Sequence, residues 1–313
     1  MKWTALEKSH LPEAAGLLAE RHLRERESFP GLPPRYKEDR EALRALTASW
    51  EKPNTMGMAA FEQNKMKAYV LGHVKIDAER GRCVWMEYAD AALAPEADAE
   101  IFRDLYAVLA EKWVKVGCFT HYVFVPLGNP AILEAWLKLG FAYQQAYAMA
   151  DLSAVDGGNS EFDQAVRFRM AEEGDRKALR EASDWISVHQ SRSPAFNPIL
   201  PEVSNEIEDG YAGILEDEEA DLWLAENNEG DSVGFQAFWP VGTAGNDLTA
   251  PEKSAVLKVA ATKPEARRAG IGTALTRYTF SELKKRGCRY CVTDWHILNV
   301  LSSRFWPKRG FQP

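Results

Sequence analysis

Residues 257–275 read LKVAATKPEARRAGIGTAL. An apolar stretch ending near Thr262 has the pattern of a strand. A charged loop follows, and Arg267-Arg268-Ala269-Gly270-Ile271-Gly272 opens onto a run with helical spacing. Glycine lets backbone N–H groups approach an anion closely, and a helix N-terminus adds unpaired donors with about half a positive charge. Arg267 and Arg268 bring full charges beside that nest. A pyrophosphate is the expected guest, although a basic loop with two turn glycines would fit the same residues.

Downstream of this loop, the sequence repeats markers from the first half at a spacing of 170 residues. Gly117-Cys118 recurs as Gly287-Cys288, Asn129 as Asn299, Trp136 as Trp306, and Gly140-Phe141 as Gly310-Phe311. Such a repeat predicts two lobes of one fold, 1–152 and 164–313, joined by the polar, glycine-bearing linker 153–163. Periodicity places strands near 3–7, 56–62, 66–77 and 83–90 and helices near 11–27 and 37–50 in the first lobe. In the second it places strands at 165–170, 221–226, 232–239 and 254–262, and helices at 174–190 and 204–215. The order implies α/β lobes, each a mixed, largely antiparallel sheet flanked by helices.

The stretch 254–311 resembles the acetyl-CoA-binding core of the GNAT superfamily of N-acetyltransferases. Thr262, Pro264, Arg267, Gly270, Gly272, Asn299 and Gly310-Phe311 fall in register with its signature. The resemblance implies a tandem GNAT protein that uses acetyl-CoA as co-substrate and needs no metal. It implies that the backbone at Ala260, Ala261 and Thr262 pairs with the pantetheine arm. Arg267 and the amides of Arg268, Ala269, Gly270, Ile271, Gly272 and Thr273 would hold the pyrophosphate, and Asn299 would position the cofactor near the thioester. Two departures stand out. The family often has a tyrosine as general acid where this chain has Trp306, and an indole N–H does not give up its proton near neutral pH. The family also continues through two more strands after Gly-Phe, which either lie outside this sequence or are replaced by strands from the first lobe or a partner chain.

The first lobe carries Ala97-Asp98-Ala99-Glu100-Ile101-Phe102 where the second carries its loop. Two carboxylates in a phosphate nest oppose binding, so this lobe is expected to keep the scaffold without the cofactor. Amine acetylation needs a group that removes the ammonium proton. Asp294 lies five residues before Asn299, an offset at which some superfamily members carry their base, and its first-lobe equivalent is Phe124. His296 shares its strand face and is the second candidate. Each residue has a plainer use as well: Asp294 to cap a strand end, His296 as a structural histidine. Cys288-x-x-Cys291 lacks a second pair and reads as packing, and the acidic run 216–221 reads as a solvated turn or an attractor for a cationic amine.

Composition narrows the rest. The 313 residues carry a net charge of −8, which argues against a basic face for nucleic acid. The sequence shows neither an apolar run of membrane-spanning length nor a signal-peptide layout, and four cysteines are too few for a disulfide framework. A cytoplasmic N-acetyltransferase acting on a small-molecule or peptide amine is the leading expectation, with a homodimer possible. A non-catalytic CoA-binding module and a mycothiol-synthase-like acetyltransferase of a thiol precursor are the alternatives.

Overall fold

In the computed structural model, residues 1–77, 80–154, 166–197, 199–241 and 248–313 are described, so most of the expected linker 153–163 lies outside them. The chain divides into two units, Met1–Ala142 with Gly242–Pro251, and Tyr143–Val241 with Glu252–Pro313. In chain order the first contains β1 (Lys2–Ala5), α1 (Leu11–Ser28), α2 (Asp39–Trp50), β2 (Thr55–Glu62), β3 (Lys65–Asp77), β4 (Gly81–Met86), β5 (Ala91–Leu93), α3 (Glu100–Lys115), β6 (Thr120–Val123) and α4 (Pro130–Lys138). Its sheet runs β1-β2-β3-β4-β6 with β5 on β3, and only β4 and β6 pair in parallel. The apolar stripes of α1 and α2 pack on one face around Leu18, Leu46 and Tyr69, and those of α3 and α4 on the other around Leu105, Trp113 and Trp136.

The second unit contains β7 (Gln145–Asp151), β8 (Val166–Met170), α5 (Arg176–Ser191), α6 (Pro201–Gly213), β9 (Asp221–Asn227), β10 (Ser232–Pro240), β11 (Ser254–Thr262), α7 (Ile271–Lys285), β12 (Tyr290–His296) and α8 (Val300–Phe305). Its sheet runs β7-β12-β11-β10-β9-β8, antiparallel throughout except between β11 and β12. Leu179, Leu224 and Phe235 form a core under α5 and α6, while Leu275, Phe280 and Trp306 belong to the core under α7 and α8. The expected two mixed sheets flanked by helices are thus present.

Two elements differ from the sequence reading. The strand expected at 83–90 breaks at Met86: Asp90 accepts hydrogen bonds from the Ser49 hydroxyl and the Glu87 amide and folds Tyr88–Asp90 into a 3-10 turn, after which β5 resumes at Ala91. Residues 145–151, for which the sequence reading gave no element within the first-lobe range 1–152, form the strand Gln145–Asp151 of the second sheet, antiparallel to β12 from Tyr290↔Asp151 to His296↔Gln145. It supplies a strand beyond β12, where the family continues its own sheet.

The repeated residues are fold-makers in both units. Gly117 and Gly287 end α3 and α7 at φ 84° and 86°, where a side chain would be strained, and the amides of Cys118 and Cys288 close the same turn on Trp113 and Leu283. Asn129 caps α4 through the amides of Ala131 and Ile132, and Asn299 caps α8 through Ser302. Trp136 meets Phe141 edge-on at 5.3 Å, and Trp306 meets Phe311 at 5.5 Å.

Candidate active site

The two central strands of the second sheet part company. Pairing between β11 and β12 runs from Ser254↔Tyr290 to Leu257↔Thr293 and ends there. Beyond it, β11 stays on β10 as far as Thr262↔Gly234, with an irregularity beside Lys258, while β12 stays on β7 as far as His296. Ala260 and Ala261 therefore line a gap in which strand edges face each other without pairing. An extended chain of amides entering that gap could pair as an added strand. The Thr262 carbonyl is already engaged, because it accepts from Arg267 Nε at 3.1 Å.

The loop leading to α7 has a left-handed, uncapped backbone. Arg268 has φ 69° and Gly270, the N-cap, φ 83°, so left-handed residues alternate through the turn and point successive amides to one side. A non-glycine residue in that region costs on the order of 1 kcal/mol, and such strain concentrates at functional turns. No side chain caps α7, which leaves the amides of Ile271, Gly272 and Thr273 without intrahelical partners. Gly272 is tight for a second reason: a Cβ there would lie 3.2 Å from Thr262 Oγ1 and 3.6 Å from the Phe305 ring. The two arginines separate in role. Arg267 donates to the carbonyls of Thr262 and Trp185 and so staples the loop to β11 and α5, its half-buried head desolvated enough to lower its pKa. Arg268 is exposed beside the turn.

Asn299 is held from two sides. Its Oδ1 accepts from the Ser302 amide at 3.2 Å and lies 3.0 Å from His189 Nε2, so that nitrogen donates. His189 lies on α5, 110 residues away in sequence, and was not anticipated. Asp294 is on the more accessible face of β12 with Val292 and His296, opposite the buried Cys291, Thr293 and Trp295. Its carboxylate accepts from the Gln145 amide of β7. Protein crowding its base pushes the Asp294 carboxyl above the usual range, and the Gln145 hydrogen bond partly offsets this. His296 Nδ1 is buried with no hydrogen-bond partner among the described residues. The alternation expected for Asp294 and His296 holds. Gln145 was missed because residues 145–151 were given no strand and fell within the first-lobe range 1–152, although their apolar alternation after Gly140-Phe141 was a usable signal.

The remaining candidates fall to packing. Trp306 is buried against Phe305 and Phe311. Cys291 is in the core with Cys288 packed against it; Cys288 precedes β12 rather than alternating along it. No group of three or more His, Cys, Asp or Glu residues suited to a metal occurs among the described residues. Within the acidic run, Glu216 pairs with Arg176 at 3.0 Å, Asp217 accepts from Trp239 Nε1 at 2.7 Å, and Asp221 pairs with Arg286. Those three are used within the fold.

The first unit closes each opening that the second leaves. Asp98 Oδ1 accepts from the Glu100 amide at 3.0 Å, so a carboxylate of the chain itself occupies the N-terminus of α3. Phe102, the counterpart of Gly272, is buried and stacks on Trp136 at 5.8 Å. Arg21, on α1, donates to the carbonyls of Tyr88 and Ala91, and Arg24 to that of Leu93 at 3.1 Å. Ala91 is the counterpart of Ala261. The capping turn at Glu7–His10 recurs 165 residues on at Glu172–Asp175, which sets Ile186 and His189 of α5 at the places of Arg21 and Arg24. Ile186 has no donor to offer the strand edge.

The chain therefore holds two α/β units of like topology, one of which has an uncapped, left-handed helix entry beside a splayed strand pair. Residues 218–313 match the family model of the acetyltransferase (GNAT) domain. Across 99% of this chain and 92% of the other, the fold is similar to that of a GCN5-related N-acetyltransferase from Sphaerobacter thermophilus, at a TM-score of 0.59 and 16% identity. A tandem GNAT protein from the clavulanic acid biosynthesis pathway is similar over 100% of this chain and 95% of its own, at a TM-score of 0.53 and 14% identity. A glucosamine N-acetyltransferase region in a fungal multi-domain β-N-acetylglucosaminidase is similar at a TM-score of 0.56 and 13% identity, over 99% of this chain and 37% of that one. No curated protein matches the sequence. Residues 218–313 thus match the GNAT acetyltransferase domain, and the fold of the whole chain is like that of a tandem GNAT protein. No helix among the described residues is long and apolar enough to cross a membrane.

Proposed function

We propose that the second lobe binds one acetyl-CoA and transfers its acetyl group to a primary amine, with Asp294 as general base. The observation that carries this reading is the conjunction of the splay after Leu257↔Thr293 with the uncapped, left-handed entry to α7. Free amides from Arg268 to Thr273 suit a pyrophosphate, and the open edge at Ala260 and Ala261 suits the pantetheine amides. The thioester then falls near the mouth of the splay, where Asp294 stands.

The acceptor arrives as an ammonium ion, which a carboxylate attracts. Asp294 takes its proton, directly or through a water, and the freed nitrogen forms a C–N bond to the acetyl carbon as the C–S bond breaks. The electron pair leaves on the CoA sulfur, which takes a proton from solvent because Trp306 is packed in the core and donates none, and the newly acylated nitrogen gives up its surplus proton to solvent to leave the neutral amide. A raised pKa suits Asp294 to this work, since a base is most effective when its pKa approaches the working pH. Activity should therefore be lost as pH falls through the raised Asp294 value. Soluble, cytoplasmic action on a small-molecule or peptide amine completes the reading.

Asp294→Asn, similar in shape but unable to accept the proton, should lower kcat by at least about 100-fold and leave acetyl-CoA affinity nearly unchanged. Retention of activity by Asp294→Asn with loss in His296→Ala would move the base to His296. The buried Trp306 favours a second reading, a CoA-binding module without turnover. A panel of amines that releases no CoA thiol from a protein that binds acetyl-CoA would establish it.

A further inference from the structure

The partner of the Asp294 carboxylate comes from 149 residues upstream. Strand β7 runs antiparallel to β12 with Gln145 opposite His296 and Tyr147 opposite Asp294, so all four side chains share one face of the sheet. The junction is fixed at its mouth, where the Ile297 amide donates to the Gln144 carbonyl at 2.8 Å. There the Gln145 side chain reaches Asp294 Oδ2 with its amide nitrogen.

Resting on the assignment of Asp294 as base, we propose that Gln145 is a positioning residue for acetyl transfer. It fixes Oδ2, so that Oδ1 is the oxygen presented to the acceptor ammonium. The terminal torsion of an aspartate is broad and nearly two-fold, so without that donor the carboxylate can rotate away from the acceptor. A positioned group also loses rate steeply with small misplacement. Positioning of the base thus depends on a strand whose residues fall within the range 1–152 that the sequence reading gave to the first lobe.

The same hydrogen bond favours the charged carboxylate, opposing the burial that disfavours it. The neighbours that could confuse a pH measurement are few. On the shared face the titratable groups of these strands are Tyr147 and Asp151 of β7 and Tyr290 and His296 of β12, and Asp151 is engaged by Ser153 and Arg289. Lys258 of β11 holds its ammonium 4.4 Å over the Trp239 ring, and His189 of α5 is engaged with Asn299.

The experiment is the pH dependence of kcat and of kcat/KM for the full chain carrying Gln145→Leu, with acetyl-CoA and an amine acceptor. Gln145 is exposed, so the substitution is expected to fold, and thermal melting checks it; Gln145→Met serves if it does not. We expect kcat to fall about ten-fold with KM for acetyl-CoA unchanged, and the acidic limb to move up by about one pH unit. Gln145→Glu should move the limb further, because two carboxyl groups then compete for one proton. In an Asp294→Asn background, Gln145→Leu should cost nothing more. If Gln145→Leu leaves kcat and the limb in place while Asp294→Asn abolishes turnover, the positioning role is wrong and the base assignment stands. If Asp294→Asn keeps its turnover, the base assignment itself fails, whatever Gln145 does.

Discussion

The N-terminus of α3 and the N-terminus of α7 follow equivalent strands, carry the same helix terminator and face equivalent caps, yet one is shut and the other open. At α3 the chain answers the Glu100 amide with Asp98, places Phe102 where α7 has a glycine, and satisfies the adjoining strand carbonyls with Arg21 and Arg24. At α7 it uses Gly270 and Gly272, and Ile186 stands at the place of Arg21. The residues that match between the lobes are those that end helices, start helices and pack cores. The loop residues that could meet a ligand differ, whereas Asn299 is matched by Asn129.

The comparison is broken most severely by carrying the closed lobe's chemistry into the open one. Gly270→Asp puts a carboxylate where the nest expects an anion, and at φ 83° it is strained as well. Acetyl-CoA affinity measured by calorimetry should fall at least about 100-fold. Gly270→Asn, which tolerates the same backbone without the charge, should lose far less. Comparable losses in both would show that strain rather than charge controls the site. A smaller effect is expected of Ile186→Arg, which returns to α5 the donor that Arg21 supplies in the first lobe. By competing for the edge at Ala261 it should weaken acetyl-CoA about ten-fold, a change of about 1.4 kcal/mol. Unchanged affinity in a folded variant would mean that the arginine is not what closes the first lobe.

Smaller still is the difference between the two caps. Asn129→Ala and Asn299→Ala should each cost about 1 kcal/mol in thermal unfolding, because both lose a side-chain cap. Only Asn299→Ala should also raise KM for acetyl-CoA, since only it stands beside an open site. Equal kinetic silence in both would reduce Asn299 to a structural residue.

The sequence made the fold legible because turn glycines, asparagine caps and Trp-Phe pairs recur at one spacing and have few structural alternatives. It made the loop at 267–273 legible for the same reason, down to the glycines. What it hid was long-range. The Arg267 staple to Trp185, the His189–Asn299 contact and the Gln145–Asp294 contact join residues 82, 110 and 149 positions apart, and no local pattern encodes such pairs. The destination of β7 was hidden because its alternation suits an edge of either sheet. For the acidic run, charge alone does not reveal that Arg176, Trp239 and Arg286 answer Glu216, Asp217 and Asp221.

The central claim is that one lobe is open to acetyl-CoA and the other is closed by its own side chains. Its most direct measurement is a calorimetric titration of the intact chain with acetyl-CoA, repeated on Gly270→Asp. The account predicts one site per chain, lost in the variant. Two equivalent sites, or one that survives Gly270→Asp, would contradict it.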